Sequence, residues 1–246
     1  MTEQLSIFEE KGTSVGGGIV RQISYNEAIE FLLPKHYSGR KPPLTVAFGW
    51  FFDEQLKAVC TFGKPPSPSL CDGICGKQYS ANVYELNRLC RTDDLDKQLS
   101  QFVAKCLKML KKRDWIIVSY SDTGMNHHGY IYQACNFVYT GLSKYRKSDW
   151  WNGDKHSRSC KGGGKIRQLR TQKHRYVYFA TSKKKLKNDW INALNYPIEQ
   201  YPKGDNSKDY KLGTVYRPPL IDENGNIIHR ENEYLVSNVV NKKKEC

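Results

Sequence analysis

Apolar residues at positions 99, 102, 103, 106, 107 and 110 recur at the period of an α-helix and predict one amphipathic helix over Leu99–Leu110. Lys108, Lys111 and Lys112 sit near its C-terminal end, where cations oppose the helix dipole. The blocks around it are short and strand-like. Ile19–Ile23 predicts a first strand, and Leu44–Phe52 with Lys57–Phe62 predicts a hairpin turning at Asp53-Glu54. Asn82–Cys90 alternates like a strand, and the apolar run Trp115–Val118 predicts a buried one reaching Tyr120. Further strands are expected at 137–140 and 175–180. Short helices are expected from Ala28 to Leu33 (capped by Ser24 or Asn26 and closed by Pro34), over 130–135, and from Lys184 to Leu194. Residues 63–80 are rich in Pro, Ser, Gly and Cys without a strong period, and predict a long loop. Asp222-Glu223-Asn224-Gly225-Asn226 predicts a hairpin turn, and the lysine-rich end a frayed tail. The order hairpin, strand, helix, strand, helix, strand indicates an α/β (α+β) protein with a mixed sheet flanked by helices.

Charge changes this picture. The chain of 246 residues carries a formal +14. Between Lys144 and Lys187 stand 15 Lys/Arg against two acids, Asp149 and Asp154, so one segment holds nearly the whole excess. It also holds Trp150, Trp151, several His and Tyr, and Gly162-Gly163-Gly164. Basic residues neutralise phosphates, and interleaved aromatics stack on bases, so the segment is read as a duplex-DNA contact. The residues expected there are Trp150, Trp151, Lys155, Arg158, Lys165, Arg167, Arg170, Lys173, Arg175, Lys183, Lys184 and Lys185. A solubilising basic loop is the plain alternative. No apolar run approaches a membrane span, the N-terminus is polar and acidic, and the eight cysteines are scattered. A cytoplasmic, reduced protein without a membrane is expected.

Candidate chemistry concentrates where the strand at 115–120 gives way to a turn. Ser119, Tyr120, Ser121 and Asp122 end the strand, and His127, His128, Tyr130 and Tyr132 follow. Polar groups at the carboxyl end of a strand are where α/β proteins bind ligands. A turn with a capping Ser-Asp pair is the plain alternative. Carboxylate, imidazole and phenol donors, with His36 and Tyr37 from the loop at 34–40, suit iron or another divalent transition metal. Cys71-x3-Cys75 lacks the second pair of a zinc site, the triple glycine is no phosphate loop, and no nucleophile elbow accompanies Ser121 and His128.

The close Ile-Tyr-Gln-Ala-Cys-Asn-Phe-Val-Tyr-Thr-Gly (131–141) resembles the helix and strand that end the GNAT acyltransferase fold, with Asn136 where a glycine usually stands. More narrowly, YELNRL (84–89), SQFVAKCLKML (100–110) and the stretch from VSYSD (118–122) to YTG (141) resemble the phage Mom proteins. PKHYSGR (34–40) and HRYVYF (174–179) agree with this, over about 20–202. The resemblance implies a GNAT-like enzyme that modifies adenine N6 in duplex DNA to a carbamoylmethyl derivative, shielding phage DNA from host restriction in the cytoplasm of the infected cell. It implies Asp122, Tyr132, Glu85, Ser121 and His128 as catalytic candidates. It implies Arg88, Ser100 and Asn136 beside acetyl-CoA or a related acyl-CoA thioester, and His36, Tyr37 and Asp122 around a metal. The turn Arg91–Gln98 departs from the family pattern: where a GNAT has its glycine-rich pyrophosphate loop, it has no glycine and three acids.

The expected division is a loose lead-in (1–18), a GNAT-like catalytic core (19–142), a basic DNA-binding segment completing the domain (143–202) and a polar extension (203–246). Two other functions remain open at this point: an N-acetyltransferase acting on a protein or small amine, and a non-catalytic DNA-binding module on this fold. The oligomeric state is also open, a homodimer being one option.

Overall fold

The computed structural model describes residues 12–151, 165–204 and 218–228. Its centre is an eight-stranded sheet. Strands β1 (Thr13–Val15) and β2 (Gly18–Ile23) form a hairpin, so part of the expected loose lead-in is sheet. Helix α1 (Tyr25–Leu32) follows, started by a capping box: Ser24 Oγ accepts from Glu27 N–H while the Glu27 side chain accepts from Ser24 N–H. Strands β3 (Val46–Phe52) and β4 (Gln55–Gly63) form the expected hairpin through Asp53-Glu54.

The stretch expected to be a loop contains helix α2 (Pro68–Cys75) and a 3₁₀ segment, Lys77–Asn82. Pro68 at the first helical position is compatible with a helix start. Cys71, Ile74 and Cys75 then bury themselves against Val83, Ile116, Phe179 and Trp190. Tertiary packing, not local propensity, makes this helix.

Strand β5 (Val83–Arg91), helix α3 (Leu99–Leu110), strand β6 (Trp115–Asp122), helix α4 (Tyr130–Ala134) and strand β7 (Val138–Leu142) follow in the expected order. Two short strands, β8 (Ser148–Trp150) and β9 (Arg167–Leu169), leave the main sheet. They join β11 (Leu220–Ile221) and β12 (Ile227–Ile228) in a small antiparallel sheet. Strand β10 (Lys173–Ala180) returns to the main sheet, and helix α5 (Lys184–Asn192) packs behind it.

Among the described residues the main sheet runs β1-β2-β3-β4-β5-β6-β10-β7, and β5–β6 is its one parallel pair. β10, from the basic segment, inserts between β6 and β7. On one face α3 buries Phe102, Val103, Cys106, Leu107 and Leu110 against Trp50, Phe62, Ile117 and Tyr176. On the other, Ile116, Val118, Val177 and Phe179 meet α2 and Trp190 of α5, while α1 covers Ala47 and Val59. The layers are those of a mixed α/β fold. Among the described residues no helix is long and apolar enough to cross a membrane.

Candidate active site

β5 and β6 pair only from Val83 opposite Ile116 to Leu86 opposite Ser119. Beyond that point they part. Residues 88–91 of β5 stay with β4, whereas residues 120–122 of β6 stay with β10. The gap is a cleft of about 730 Å³. Its walls include Glu85 and Arg88 from β5 and Ser121 and Asp122 from β6. Tyr132 of α4, His127 of the preceding turn, and His36 and Tyr37 after α1 also line it. Its outer lip is the acidic turn, with Asp93, Asp96, Lys97 and Gln98. A volume of this order suits a ligand, and its place at a parallel pair's carboxyl ends is the usual one.

Asp122 is buried, at 7% exposure, and its oxygens are engaged. Gly124 N–H (2.9 Å) and Thr171 O–H (2.5 Å) donate to Oδ1, and Lys173 Nζ lies 3.3 Å from Oδ2. Ser121 O–H donates to the His127 carbonyl (2.6 Å), which ties the turn to the strand end. Burial lowers the His127 imidazole, and His128 adds to this against the pull of Asp122. His127 is therefore a neutral imidazole near pH 7. Burial pushes the Tyr132 phenol up to about 12, although Ser119 opposes the shift by hydrogen bonding. Tyr132 thus stays protonated, a hydrogen-bond donor rather than a tyrosinate. Arg88 Nη1 donates to the Asn87 carbonyl (2.6 Å), and its buried Nε has no partner among the described residues.

His36 stacks on Tyr37 at 4.4 Å. Its Nδ1 accepts from Ser38 N–H (3.1 Å), and burial, then Arg88 and His127, lower its pKa to about 3. The neutral ring consequently carries its proton on Nε2, leaving neither nitrogen free to ligate. Burial, then Asp122, raises the Tyr37 phenol above its ordinary range. With the Lys173 ammonium 3.3 Å from Asp122 Oδ2, where it would repel a metal cation, His36, Tyr37 and Asp122 as disposed here do not fit a transition metal. Among the described residues no three His, Cys, Asp or Glu side chains form a metal-holding group.

The sequence-predicted Asp122, Tyr132, Glu85, Ser121 and Arg88 meet in the cleft. His128 does not line it: its ring lies 5.7 Å from His174, and its carbonyl accepts from Gln133 Nε2. Left-handed Asn126 and Gly129 bracket the two histidines and set which imidazole faces inward. A Cβ at Gly129 would lie 2.5 Å from the Tyr176 ring, so the turn needs glycine there. Ser100 and Asn136 also lie outside the cleft lining. The Ser100 carbonyl accepts from the Cys135 thiol, and Asn136 adopts the left-handed conformation (φ 59) that explains its standing in for glycine.

The basic residues divide. Lys155 and Arg158 lie outside the described residues. Lys173 lines the cleft. Arg175 is buried, donating to Thr140 Oγ1 (2.9 Å) and the Thr140 carbonyl (2.7 Å) with its guanidinium 3.4 Å above the Tyr196 ring centre. It is therefore no surface contact. Lys183 pairs with Asp114, Arg170 with Asp149 (3.1 Å) and Lys165 with Glu223 (3.8 Å). Arg167 lies over the half-exposed Trp150 ring at 4.5 Å, Trp151 is half-buried beside this pair in sequence, and Lys184 and Lys185 are exposed. Sequence reasoning missed Thr171, because its partner Asp122 is 49 residues away.

A search of solved structures finds acetyltransferases. An N-acetyltransferase from Staphylococcus aureus Mu50 is 11% identical, with 67% of this chain and 99% of that one covered at TM-score 0.43. A Drosophila melanogaster polyamine N-acetyltransferase is 12% identical, with coverages of 66% and 99% at TM-score 0.40. A Bacillus subtilis acetyltransferase in complex with CoA is 14% identical, with coverages of 63% and 82% at TM-score 0.34. Among curated proteins, the methylcarbamoylase Mom of Escherichia phage Mu is 24% identical over 221 residues, covering 80% of this chain and 90% of its own length. The profile of the Mom protein family matches residues 18–203, which include the whole cleft, and the chain belongs to that family.

Proposed function

We propose that this chain is a transferase that converts adenine in DNA to its N6-carbamoylmethyl derivative and so protects phage DNA from restriction in the host cytoplasm. The observation that carries the reading is the cleft where β5 and β6 part, with a fixed carboxylate inside it, in a member of the Mom family.

Adenine N6 is a weak nucleophile because its lone pair is delocalised into the ring, and the duplex stack buries it. The base must leave the stack to react. In the cleft, Asp122 Oδ2 keeps a lone pair that receives the N6 proton as N6 bonds to the donor carbon and that carbon's bond to its leaving group breaks. Tyr132 donates a hydrogen bond, and neutral His127 is a second acceptor on the same wall. The GNAT resemblance implies an acyl-CoA donor, and the outer cleft fits one in part. Helix α3 begins without a side-chain cap, at Gln98 and Leu99 on the lip, with Arg88, Arg91 and Lys97 near it. Asp93 and Asp96 on that lip weaken the hold on phosphate. A bound CoA thioester would supply an activated acyl carbon, whose transfer alone gives an N6-amide; the carbamoylmethyl product, joined to N6 through its methylene carbon, also requires a nitrogen-bearing co-substrate. Exposed Lys184 and Lys185 suit the DNA backbone, and the exposed Trp150 ring, with half-buried Arg167 over it, suits an unstacked base.

Mass spectrometry of nucleosides from plasmid DNA in bacteria expressing the chain tests this. A deoxyadenosine heavier by a carbamoylmethyl group is expected with the wild type and is expected to vanish with Asp122→Ala. Unmodified deoxyadenosine alongside abundant soluble wild-type protein would reject the reading in favour of an N-acetyltransferase or a DNA-binding module.

A further inference from the structure

Thr171 and Lys173 come from the basic segment, yet both end on one carboxylate. We infer that Lys173 is a positioning residue for Asp122, with Thr171 as the second half of the clamp. This rests on Asp122 being the proton acceptor proposed above.

Lys173 stands directly opposite Asp122 in the antiparallel β6–β10 register. Its backbone is pinned, because Lys173 N–H donates to Ser143 Oγ at 2.9 Å. Between the two clamp residues, the Gln172 carbonyl accepts from both Thr123 N–H (3.2 Å) and Thr123 O–H (2.7 Å). β10 and the residue after Asp122 are therefore locked together. Across this frame Thr171 and Gly124 hold Oδ1, and the Lys173 ammonium holds Oδ2. A carboxylate gripped at both oxygens cannot rotate its plane away from the cleft. Oδ1 has two donors and is saturated, so the lone pair left for substrate is on Oδ2, beside Lys173. Lys173 lines the cleft beside that oxygen.

The clamp also continues into the small sheet. Arg170, adjacent to Thr171, pairs with Asp149 of β8 and donates its backbone N–H to the Lys147 carbonyl. The segment proposed to meet DNA thus runs straight into the residues that orient the acid.

The test follows modified deoxyadenosine over time after induction, per amount of soluble protein, for wild type, Lys173→Met, Lys173→Arg and Thr171→Val. Duplex-DNA affinity and melting temperature are measured on the purified chains. Lys173→Met is expected to slow modification roughly 100-fold, the size of a misplaced reacting group. Lys173→Arg should recover most of the rate, and Thr171→Val should lose about tenfold. DNA affinity should stay at the wild-type level in all three. Wild-type modification by Lys173→Met, or a loss of DNA affinity in step with its rate, would overturn the inference. If Lys173→Met does not fold, a wild-type rate in the near-isosteric Thr171→Val overturns it alone. Modification by the wild type separates this failure from that of the reading beneath it, since a wild type that modifies nothing sinks both.

Discussion

Lys173, His174 and Arg175 open β10, and Lys183, Lys184 and Lys185 open α5, only eight residues later in the same basic run. In sequence the two triplets look alike. In the structure the first is turned to internal use. Lys173 holds Asp122, His174 accepts or donates at Tyr139 (2.8 Å), and Arg175 is satisfied by Thr140 and Tyr196. In the second triplet Lys183 pairs with Asp114, and Lys184 and Lys185 reach solvent. Strand β10 lies between helical layers, so most of its side chains are buried, and Lys173 at its start is half-exposed toward the cleft. A first helical turn on the surface leaves its cations hydrated. Charge density therefore marks the segment but not the interface, because each residue's neighbours decide whether its charge is visible from outside.

Beyond the large effect expected at Lys173, the next contrast is in stability. Arg175→Met removes two hydrogen bonds from a buried guanidinium and its stacking on Tyr196, and leaves the Thr140 hydroxyl and carbonyl to be resatisfied. Charged hydrogen bonds of this kind contribute about 1.5–3 kcal/mol each before compensation. A loss of roughly 2–4 kcal/mol is expected, read as a fall of about 5–15 °C in melting temperature. A melt unchanged by Arg175→Met would mean that the inward triplet is as dispensable as the outward one.

Charge reversal at Lys184 and Lys185 should do the opposite. The melt stays put, and duplex-DNA affinity falls for all sequences alike. The salt dependence becomes shallower by about one unit of slope for each phosphate that is no longer neutralised. An unchanged slope would remove α5 from the interface and leave Trp150, with Arg167 over its ring, as the remaining DNA-facing candidate. Lys183 is best left out of that variant, because reversing it also breaks its pair with Asp114.

How much of this was legible follows from how local each signal is. The α3 stripe fixed both ends of that helix, and Ser24, one of two candidate caps, announced α1, because caps and periodicity act within a few residues; the reciprocal Glu27 bond emerged only in the structure. The polar cluster after β6 was legible for the same reason. Helix α2 was hidden, since Ser, Pro and Gly mask it locally and only distant Trp190 and Phe179 make its burial favourable. The choice of His127 over His128 depends on two left-handed backbone positions, and the Thr171–Asp122 hydrogen bond spans 49 residues. The insertion of β10 between β6 and β7 is likewise a pairing between remote segments, and it is what brought Lys173 to the cleft and Arg175 to the interior, both expected at DNA.

The smallest expected effect tests the middle member of the inward triplet. His174 is buried, and that burial, followed by the nearby His128, lowers its pKa below the usual 6.5. The folded chain then binds fewer protons at this site than the unfolded chain does. This site's contribution to stability is therefore fully present above pH 6.5 and is lost as the pH falls from there through the lower folded value, because the unfolded state gains the proton first. Tyr139 Oη lies 2.8 Å from His174 Nδ1, so protonation of His174 makes that hydroxyl the acceptor in their hydrogen bond. His174→Gln cannot take up a proton and should flatten the fall in melting temperature between about pH 7 and pH 5. The slope should not vanish, since His36 and His127 are lowered in the same direction and contribute their own share. A variant as acid-sensitive as the wild type would show that the proton-linked loss belongs to those two cleft histidines, and that β10 yields only Lys173 and Arg175 to the interior's electrostatics.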